Sequence, residues 1–171
     1  MKCDKKSMLL YAVTDRKWTG KQTLLEQVKQ ALDGGVTCVQ LREKELDKEE
    51  FLAEAIKLRR LCNEYKVPFI INDDVDIAVK CGADGVHVGQ EDMEALDVRK
   101  IIGENMIMGV SVHDAKEALQ AVNNGADYLG VGAVFSTSTK LDASVLPFDT
   151  VKEVVLSVNV PVVAIGGINK N

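Results

Sequence analysis

The phrase GADGVHVG at residues 82–89 returns almost unchanged as GADYLGVG at residues 125–132, and GGVTCVQL at residues 34–41 is a looser third copy. Each copy places a glycine where a helix would end and then turns directly into an apolar strand. A helix-to-strand turn that recurs along one chain indicates repeated βα units, which build a parallel sheet with right-handed crossovers. The repeat therefore predicts an α/β protein.

Outward from the repeat, the chain contains seven apolar runs of strand length, separated by amphipathic stretches. The runs cover residues 9–13, 36–41, 68–72, 85–89, 107–112, 128–132 and 161–165. They are nearly continuous rather than alternating, which is typical of parallel strands buried on both faces. The clearest helical stretches are residues 24–33, 51–65 and 115–124, the last with Asp114 as its expected N-cap. Seven units favour a (β/α)8 TIM barrel over an open, doubly wound sheet.

The length of the chain leaves this barrel short of one unit. The sequence has 171 residues and ends at Asn171, directly after the seventh strand, whereas a complete barrel takes about 200 to 250 residues. We therefore expect a single βα-barrel domain over residues 1–171, truncated after the seventh strand, with the C-terminal helix and the eighth βα unit missing. Two exposed strand edges would result, so we expect this chain alone to be poorly stable or inactive and the full-length protein to be active.

Composition narrows the class of protein. The net charge is -5 and the pI about 5.1, which argues against nucleic-acid binding because that needs a basic face. No apolar run is long enough to span a membrane. The four cysteines show no metal or redox spacing, which favours a cytoplasmic protein with free thiols. Small phosphorylated molecules are the expected partners, and assembly into a homo-oligomer is compatible with the sequence.

Active sites of βα barrels lie at the carboxyl ends of the strands, in the loops that follow them. Six consecutive strands of this chain are followed or ended by polar, charged or glycine residues, whereas the strand interiors are apolar. These residues are QLREK at 40–44, NDD at 72–74, GQED at 89–92, Ser111, STSTK at 136–140 and GG at 166–167. Their meeting at one rim predicts an active site there.

The residue types at this rim indicate phosphate and metal chemistry. Arg42 can bind a phosphate through two parallel hydrogen bonds, and Lys44 and Lys140 add positive charge. Asp73 and Asp92 follow neighbouring strands and could share Mg²⁺, which takes one or two carboxylates together with phosphate oxygens and water. A second phosphate could bind to hydroxyls and backbone amides in this set: Thr137, Ser138, Thr139, Gly166 and Gly167. Two anion sites beside a metal site indicate a reaction that joins two phosphorylated molecules.

Each feature also has a structural explanation. Asp73, Asp74 and Asp92 precede helices and could cap them, and Arg42 and Lys44 could pair with the adjacent Glu43 and Glu45. A Gly-Gly pair and an STST run are commonly turns and polar loops. His87 alternates inside a strand, which favours a hydrogen-bonded structural histidine over a catalytic one. No serine–histidine–acid arrangement stands out in the sequence.

Taken together, the motifs resemble thiamine-phosphate synthases, in order along essentially the whole chain. They are QLREK (40–44), IINDD (70–74), GVHVGQED (85–92), GVSVH (109–113), TSTK (137–140) and AIGGI (164–168). The resemblance implies the Mg²⁺-dependent condensation of 4-amino-2-methyl-5-hydroxymethylpyrimidine diphosphate with a thiazole phosphate, which gives thiamine phosphate and diphosphate. It also implies a dissociative mechanism, in which diphosphate leaves before the thiazole nitrogen attacks. The family's loop usually reads PTxTK, and Ser136 replaces the proline here.

The resemblance assigns residues to three groups. The pyrimidine diphosphate would be held by Gln40, Leu41, Arg42, Glu43, Lys44, Asn72, Ser111 and Lys140, with Arg42, Ser111 and Lys140 acting in catalysis. Mg²⁺ would be held by Asp73 and Asp92. The thiazole phosphate would be held by Thr137, Ser138, Thr139 and Gly167.

Other functions are compatible with the same fold. A thiazole tautomerase of the same superfamily would need neither the two carboxylates nor a lysine facing the diphosphate. A phosphate-binding isomerase of amino-acid biosynthesis would need a paired acid and base across the barrel, and none is clear. A non-catalytic protein that binds thiamine precursors would bind both substrates without releasing diphosphate.

Overall fold

The computed structural model describes residues 3–137 and 144–169. Seven parallel strands form one sheet in the order in which they follow along the chain. The strands are β1 (Tyr11–Val13), β2 (Cys38–Leu41), β3 (Phe69–Asn72), β4 (Gly85–Val88), β5 (Ile107–Val112), β6 (Tyr128–Val131) and β7 (Val162–Ala164). The helices are α1 (Leu24–Asp33), α2 (Lys48–Glu64), α3 (Val75–Cys81), α4 (Ala95–Ile102), α5 (Ala115–Asn123) and α6 (Phe148–Ser157).

Strict sequential pairing with a helix between successive strands makes a nearly closed parallel barrel, which confirms the predicted fold. Among the described residues, no pairing joins β7 to β1. The register sets Asn72 opposite His87 and Ser111 opposite Gly130. It therefore brings the polar residues at the ends of β3, β4 and β5 to the same end of the barrel.

The helix boundaries follow the local capping chemistry. Helix α1 begins and ends where the apolar spacing predicts. Its start is fixed by a reciprocal capping box between Thr23 and Glu26. Helix α2 begins three residues earlier than predicted, at Lys48, because Asp47 accepts hydrogen bonds from two backbone amides of the first turn. The predicted N-cap Asp114 accepts from Glu117 N–H and is confirmed.

Two apolar cores flank the sheet. The larger lies between the strands and the helices, and Leu41, Cys62 and Val98 are among its fully buried members. The smaller lies inside the barrel, where Cys3 and Met8 from the N-terminal segment pack with four strand residues: Cys38, Ile70, Ile107 and Tyr128. The expectation that Cys38 and Cys62 are buried apolar residues is confirmed. The N-terminal segment thus fills the barrel at the end where the strands begin.

The residue just before the strand has the same structural role in all three copies of the repeated phrase. Thr37, Asp84 and Asp127 each stand one residue before a strand, and each side chain accepts a hydrogen bond from a backbone amide at or within one residue of the start of the preceding strand. The donors are Leu10 N at 2.8 Å, Phe69 N at 2.8 Å and Met108 N at 2.9 Å. Each copy of the repeat therefore supplies a side-chain acceptor to a backbone amide at the end of the barrel where the strands begin.

Arginines from the outer helices complete two of these three sites. Arg59 donates to Gly82 O and to Asp84 Oδ1, and Arg99 donates to the carbonyls of Gly103, Met106 and Gly125 and to Asp127 Oδ2. Arg99 is buried, so its charge is compensated inside the protein.

None of the helices in the described ranges has the length and apolarity that crossing a bilayer requires.

Candidate active site

The segment that follows β2 is held in place by a buried carboxylate. Glu43 Oε2 accepts from Arg16 Nε at 2.6 Å, and Glu43 Oε1 accepts from the backbone amides of Lys44 and Glu45 at 2.8 and 2.9 Å. Arg16 also pairs with Glu54 on α2. Although burial raises the pKa of Glu43, hydrogen bonds from Glu45 N–H and Arg16 hold it below its ordinary value. The carboxylate of Glu43 therefore holds the backbone of this segment in place.

The other residues of this segment divide between the core and the rim. Leu41 is fully buried in the larger core, between the strands and the helices. Any contact with a substrate would therefore come from its backbone. Thr14 Oγ1 accepts from Arg42 N at 3.0 Å, which fixes the backbone at Arg42. Among the described residues, the guanidinium of Arg42 and the amide of Asn72 have no hydrogen-bond partner. Both groups are thus available to a ligand.

Asp73 occupies an unusual backbone position directly after β3. Its φ is +64°, its amide donates to His87 O at 2.8 Å, and the next amide, of Asp74, donates back to Asn72 O at 2.8 Å. A γ-turn with positive φ at an aspartate is rare and strained. It directs Asp73 away from the helix that follows, whereas Asp74 caps α3 by accepting from Ile77 N. The capping explanation thus holds for Asp74 and not for Asp73.

Two carboxylates and a lysine meet at this point of the rim. Lys44 Nζ lies 2.5 Å from Asp73 Oδ2, so Lys44 does not pair with its neighbours Glu43 and Glu45. Burial raises the pKa of Asp73, and a hydrogen bond and charge repulsion from Asp92 raise it further, while Lys44 opposes the shift. Asp92 does not cap a helix; its Oδ2 accepts from Gly89 N at 2.7 Å.

This pair of carboxylates fits a Mg²⁺ site in which substrate oxygens would supply further ligands. Two facing carboxylates whose negative charges disfavour each other are stabilised by added positive charge. Within residues 3–137 and 144–169, no three His, Cys, Asp or Glu side chains cluster as metal ligands. Two protein carboxylates with phosphate oxygens and water are the ligand set that Mg²⁺ typically takes.

A chain of buried hydrogen bonds crosses the interior of the barrel below the rim. Gln40 Nε2 donates to Tyr11 OH at 2.9 Å, and Tyr11 OH lies 2.7 Å from Tyr128 OH. Tyr128 OH lies 2.9 Å from His87 Nδ1, and His87 Nε2 lies 2.9 Å from Ser111 Oγ. Burial lowers the pKa of His87 to about 4, against a small opposing effect of Asp92. The expectation of a hydrogen-bonded histidine at position 87 is confirmed.

Glycine on the neighbouring strand makes room for this chain. A Cβ atom at Gly109 would lie 2.1 Å from Tyr128 Cζ and 2.5 Å from His87 Nδ1, a separation that no packed side chains have. The aromatic ring of Tyr128 therefore lies over bare backbone, where any side chain at position 109 would displace it.

The backbone after β7 packs closely against the segment after β6. Val134 N donates to Ile165 O at 2.9 Å, and Phe135 N donates to Gly166 O at 3.0 Å. Gly167 has φ +64°, and a Cβ there would lie 2.4 Å from Ser136 O, so only glycine fits. Gly167 is thereby brought beside the beginning of the STSTK segment. Ser138, Thr139 and Lys140 lie outside the described residues.

The structure thus brings together part of the predicted site. Lys44 pairs with Asp73, and Asp92 lies near enough to raise the pKa of Asp73. Gln40 is joined to Ser111 through three intervening side chains. Arg16, Tyr11 and Tyr128 were not among the predicted site residues. Arg16 follows β1, the one strand outside the six whose exits predict the site, and each tyrosine is a polar aromatic residue at the start of an otherwise apolar strand.

The fold is that of a βα-barrel enzyme, and the rim at the carboxyl ends of the strands is its candidate active site. A family model described as thiamine monophosphate synthase matches residues 10–171. The chain belongs to the thiamine monophosphate synthase family, whose members are transferases.

Individual relatives agree with this assignment. A thiamine-phosphate synthase from Clostridioides difficile is 53% identical, over 96% of this chain and 79% of the relative. One from Clostridium acetobutylicum is 50% identical, over 94% of this chain and 76% of the relative. The solved structure of a thiamine phosphate pyrophosphorylase from Pyrococcus furiosus superimposes with a TM-score of 0.86 at 41% identity, covering 96% of this chain and 78% of that one.

Proposed function

We propose that this protein condenses a hydroxymethylpyrimidine diphosphate with a thiazole phosphate to give thiamine phosphate and diphosphate, with Mg²⁺ as cofactor. Family membership supports the reaction class. The observation that carries the rest is the ion pair of Lys44 with Asp73 at the rim, together with the effect of Asp92, which raises the pKa of Asp73. Cations and a metal-binding carboxylate pair at one place match a diphosphate leaving group.

The proposed step breaks the bond between the pyrimidine methylene carbon and the diphosphate oxygen, and the electron pair leaves with the diphosphate. The lone pair of the thiazole nitrogen then forms the new carbon–nitrogen bond. That nitrogen carries no proton, so no general base is needed, which agrees with a histidine that is buried and neutral. When bound, Mg²⁺ supplies charge neutralisation of the diphosphate oxygens.

The residues of this chain contribute binding and charge. Arg42 and Lys44, with Lys140 from outside the described residues, would stabilise the negative charge that develops on the departing diphosphate. Asn72 and Ser111 would orient the pyrimidine diphosphate, and Asp73 and Asp92 would hold Mg²⁺. Thr137, Ser138, Thr139 and Gly167 would bind the thiazole phosphate. Water exclusion and alignment of the two substrates would supply the remaining acceleration.

Diphosphate release on mixing the two substrates tests the reaction. We expect release that depends on Mg²⁺, stops with a chelator and returns when Mg²⁺ is added in excess. Binding of both substrates without diphosphate release would instead support a non-catalytic binding protein. Isomerisation of the thiazole phosphate alone would support a tautomerase.

Asp92→Asn tests the assignment of the metal site. The amide keeps an oxygen that can accept from Gly89 N, but it loses the charge that Mg²⁺ needs, so we expect kcat/KM to fall about a hundredfold or more. Glu91→Gln is the matched control, because Glu91 is the exposed neighbouring carboxylate, and it should leave kcat/KM unchanged. Equal activity of the two variants would rule Asp92 out as a metal ligand.

A further inference from the structure

The hydrogen-bond chain inside the barrel joins two residues of the proposed substrate site, Gln40 and Ser111, which lie on β2 and β5. Its three middle members are Tyr11, Tyr128 and His87, which come from β1, β6 and β4. Tyr128 and His87 are buried. The direction in which protons are donated along this chain decides whether the Ser111 hydroxyl offers a proton or a lone pair to the rim.

His87 is the member that fixes this direction. Both of its ring nitrogens are hydrogen-bonded to uncharged hydroxyl groups, Tyr128 OH on one side and Ser111 Oγ on the other. A neutral imidazole has one N–H donor and one lone pair. Therefore one neighbour donates to His87 and the other accepts from it.

The stronger acid of the two neighbours takes the imidazole lone pair. A phenol is a stronger acid, and so a better hydrogen-bond donor, than an aliphatic alcohol. Tyr128 therefore donates to Nδ1, and the proton of His87 resides on Nε2, where it is donated to Ser111 Oγ. The oxygen of Tyr128 remains free to accept from Tyr11, whose own oxygen accepts from the Gln40 amide. Each donor in this arrangement has one acceptor.

From this geometry we infer that Tyr128 and His87 are positioning residues that hold the Ser111 hydroxyl as a hydrogen-bond donor directed to an anionic substrate group. Because Ser111 Oγ accepts from His87 Nε2–H, its own proton is left for the rim. The inference rests on the proposed function in one respect, namely that the anion at Ser111 is the diphosphate of the pyrimidine substrate. A donor at this point strengthens as negative charge develops on the leaving group.

The tautomer of His87 can be read directly in the substrate-free protein. Labelling both ring nitrogens of histidine with ¹⁵N gives two imidazole patterns in long-range ¹H–¹⁵N spectra, because the chain has two histidines. His113, which is exposed, serves as the internal reference. We expect His87 to be the Nε2–H tautomer. An Nδ1–H tautomer would overturn the inference.

Tyr128→Phe tests the function of the donor. Phenylalanine fills the same space over Gly109 but cannot donate, so the imidazole lone pair becomes available to the Ser111 hydroxyl. We expect the Nδ1–H tautomer to become populated and kcat/KM for the pyrimidine diphosphate to fall about tenfold, the effect of losing a hydrogen bond to a charged group. Tyr11→Phe is the matched control, since it leaves Tyr128 as donor to His87 and should leave the Nε2–H tautomer in place.

The outcomes separate this inference from the proposed function. An Nδ1–H tautomer in a wild-type protein that releases diphosphate would overturn the inference alone. An Nε2–H tautomer in a protein that releases no diphosphate would support the assignment of Ser111 as a donor and overturn the proposed reaction. A Tyr128→Phe protein with unchanged tautomer and unchanged kcat/KM would overturn the positioning role. The wild-type tautomer decides the direction even if the variant does not fold.

Discussion

Asp73 combines a left-handed backbone, partial burial and a neighbouring carboxylate. Because its pKa in the folded protein lies above the ordinary value of 3.8, the folded chain holds this proton more tightly than the unfolded chain does. The ionised form consequently lowers stability at pH values above the folded-state pKa. Stability has been given up here for an electrostatic feature of the rim, as is common at functional sites.

We therefore expect Asp73→Asn to raise the melting temperature at neutral pH in the presence of a chelator. Asparagine tolerates a positive φ better than most residues and removes the repulsion from Asp92. The gain in melting temperature should shrink as the pH falls towards 3.8, because the wild-type carboxyl is then protonated as well. Activity should fall about a hundredfold. A lower melting temperature at neutral pH would contradict the electrostatic explanation.

His87 has the opposite pH dependence. Burial lowers its pKa from 6.5 to about 4, so the unfolded chain binds this proton more readily, and stability is lost as the pH falls from 6.5 towards 4. The linkage relation limits this loss to about 3 kcal/mol. In urea unfolding between these pH values, His87→Gln should lose less free energy of unfolding than the wild type. Parallel profiles for the two proteins would show that His87 does not contribute.

At the scale of elements, the recurring cap before β2, β4 and β6 explains why the same phrase appears three times in the sequence. The three sites differ in what surrounds the cap. Thr37 is a hydroxyl without a cationic partner, Asp84 is paired with the half-buried Arg59, and Asp127 is paired with the buried Arg99. The consequence of removing the cap should therefore increase along the chain.

Asp127→Ala should be the most damaging of the three cap substitutions. It leaves Met108 N without its acceptor and Arg99 with a buried, uncompensated charge, so we expect a loss of about 3 to 5 kcal/mol in the free energy of unfolding. Asp84→Ala should cost about 1 to 3 kcal/mol. Asp97→Ala, which removes an exposed pair with Lys100, should change stability by less than about 1 kcal/mol. Urea denaturation at pH 7 measures the two cap variants and the Asp97→Ala control; equal losses for Asp127→Ala and Asp84→Ala would contradict this ranking.

Sequence patterns predicted elements better than contacts. Apolar runs and caps are local, so the seven strands, helix α1 and the cap at Asp114 were predictable. The meeting of Asp73 and Asp92 was also predictable, because neighbouring parallel strands bring their carboxyl ends to one edge. Tyr11 and Tyr128 are 117 residues apart, and the pairing of Arg16 with Glu43 depends on how two loops pack. No local pattern specifies such contacts.

At the scale of the whole molecule, the N-terminal segment and the rim lie at opposite ends of the barrel. Met8 is buried against the inner core at the end where the strands begin, whereas Lys44, Asp73 and Asp92 lie at the end where they stop. Stability and activity can thus be altered separately.

Met8→Ala should lower the free energy of unfolding by about 2 to 5 kcal/mol, because it leaves a cavity inside the barrel. It should leave kcat and KM close to wild-type values at a temperature where the variant is folded. Denaturant unfolding and steady-state kinetics on the same preparation provide the comparison. A large change in KM without a loss of stability would indicate that the two ends of the barrel are coupled.

Among the residues that the structure describes, the phenol ring of Tyr128 over Gly109 packs with Cys3 and Met8 and fills the interior of the barrel. Under the proposed reaction, reactants and products must then use one and the same mouth. Diphosphate and thiamine phosphate must dissociate before new substrates can bind, so turnover should slow as products accumulate. Inhibition by added diphosphate, competitive with the pyrimidine diphosphate, is the kinetic consequence of a filled interior.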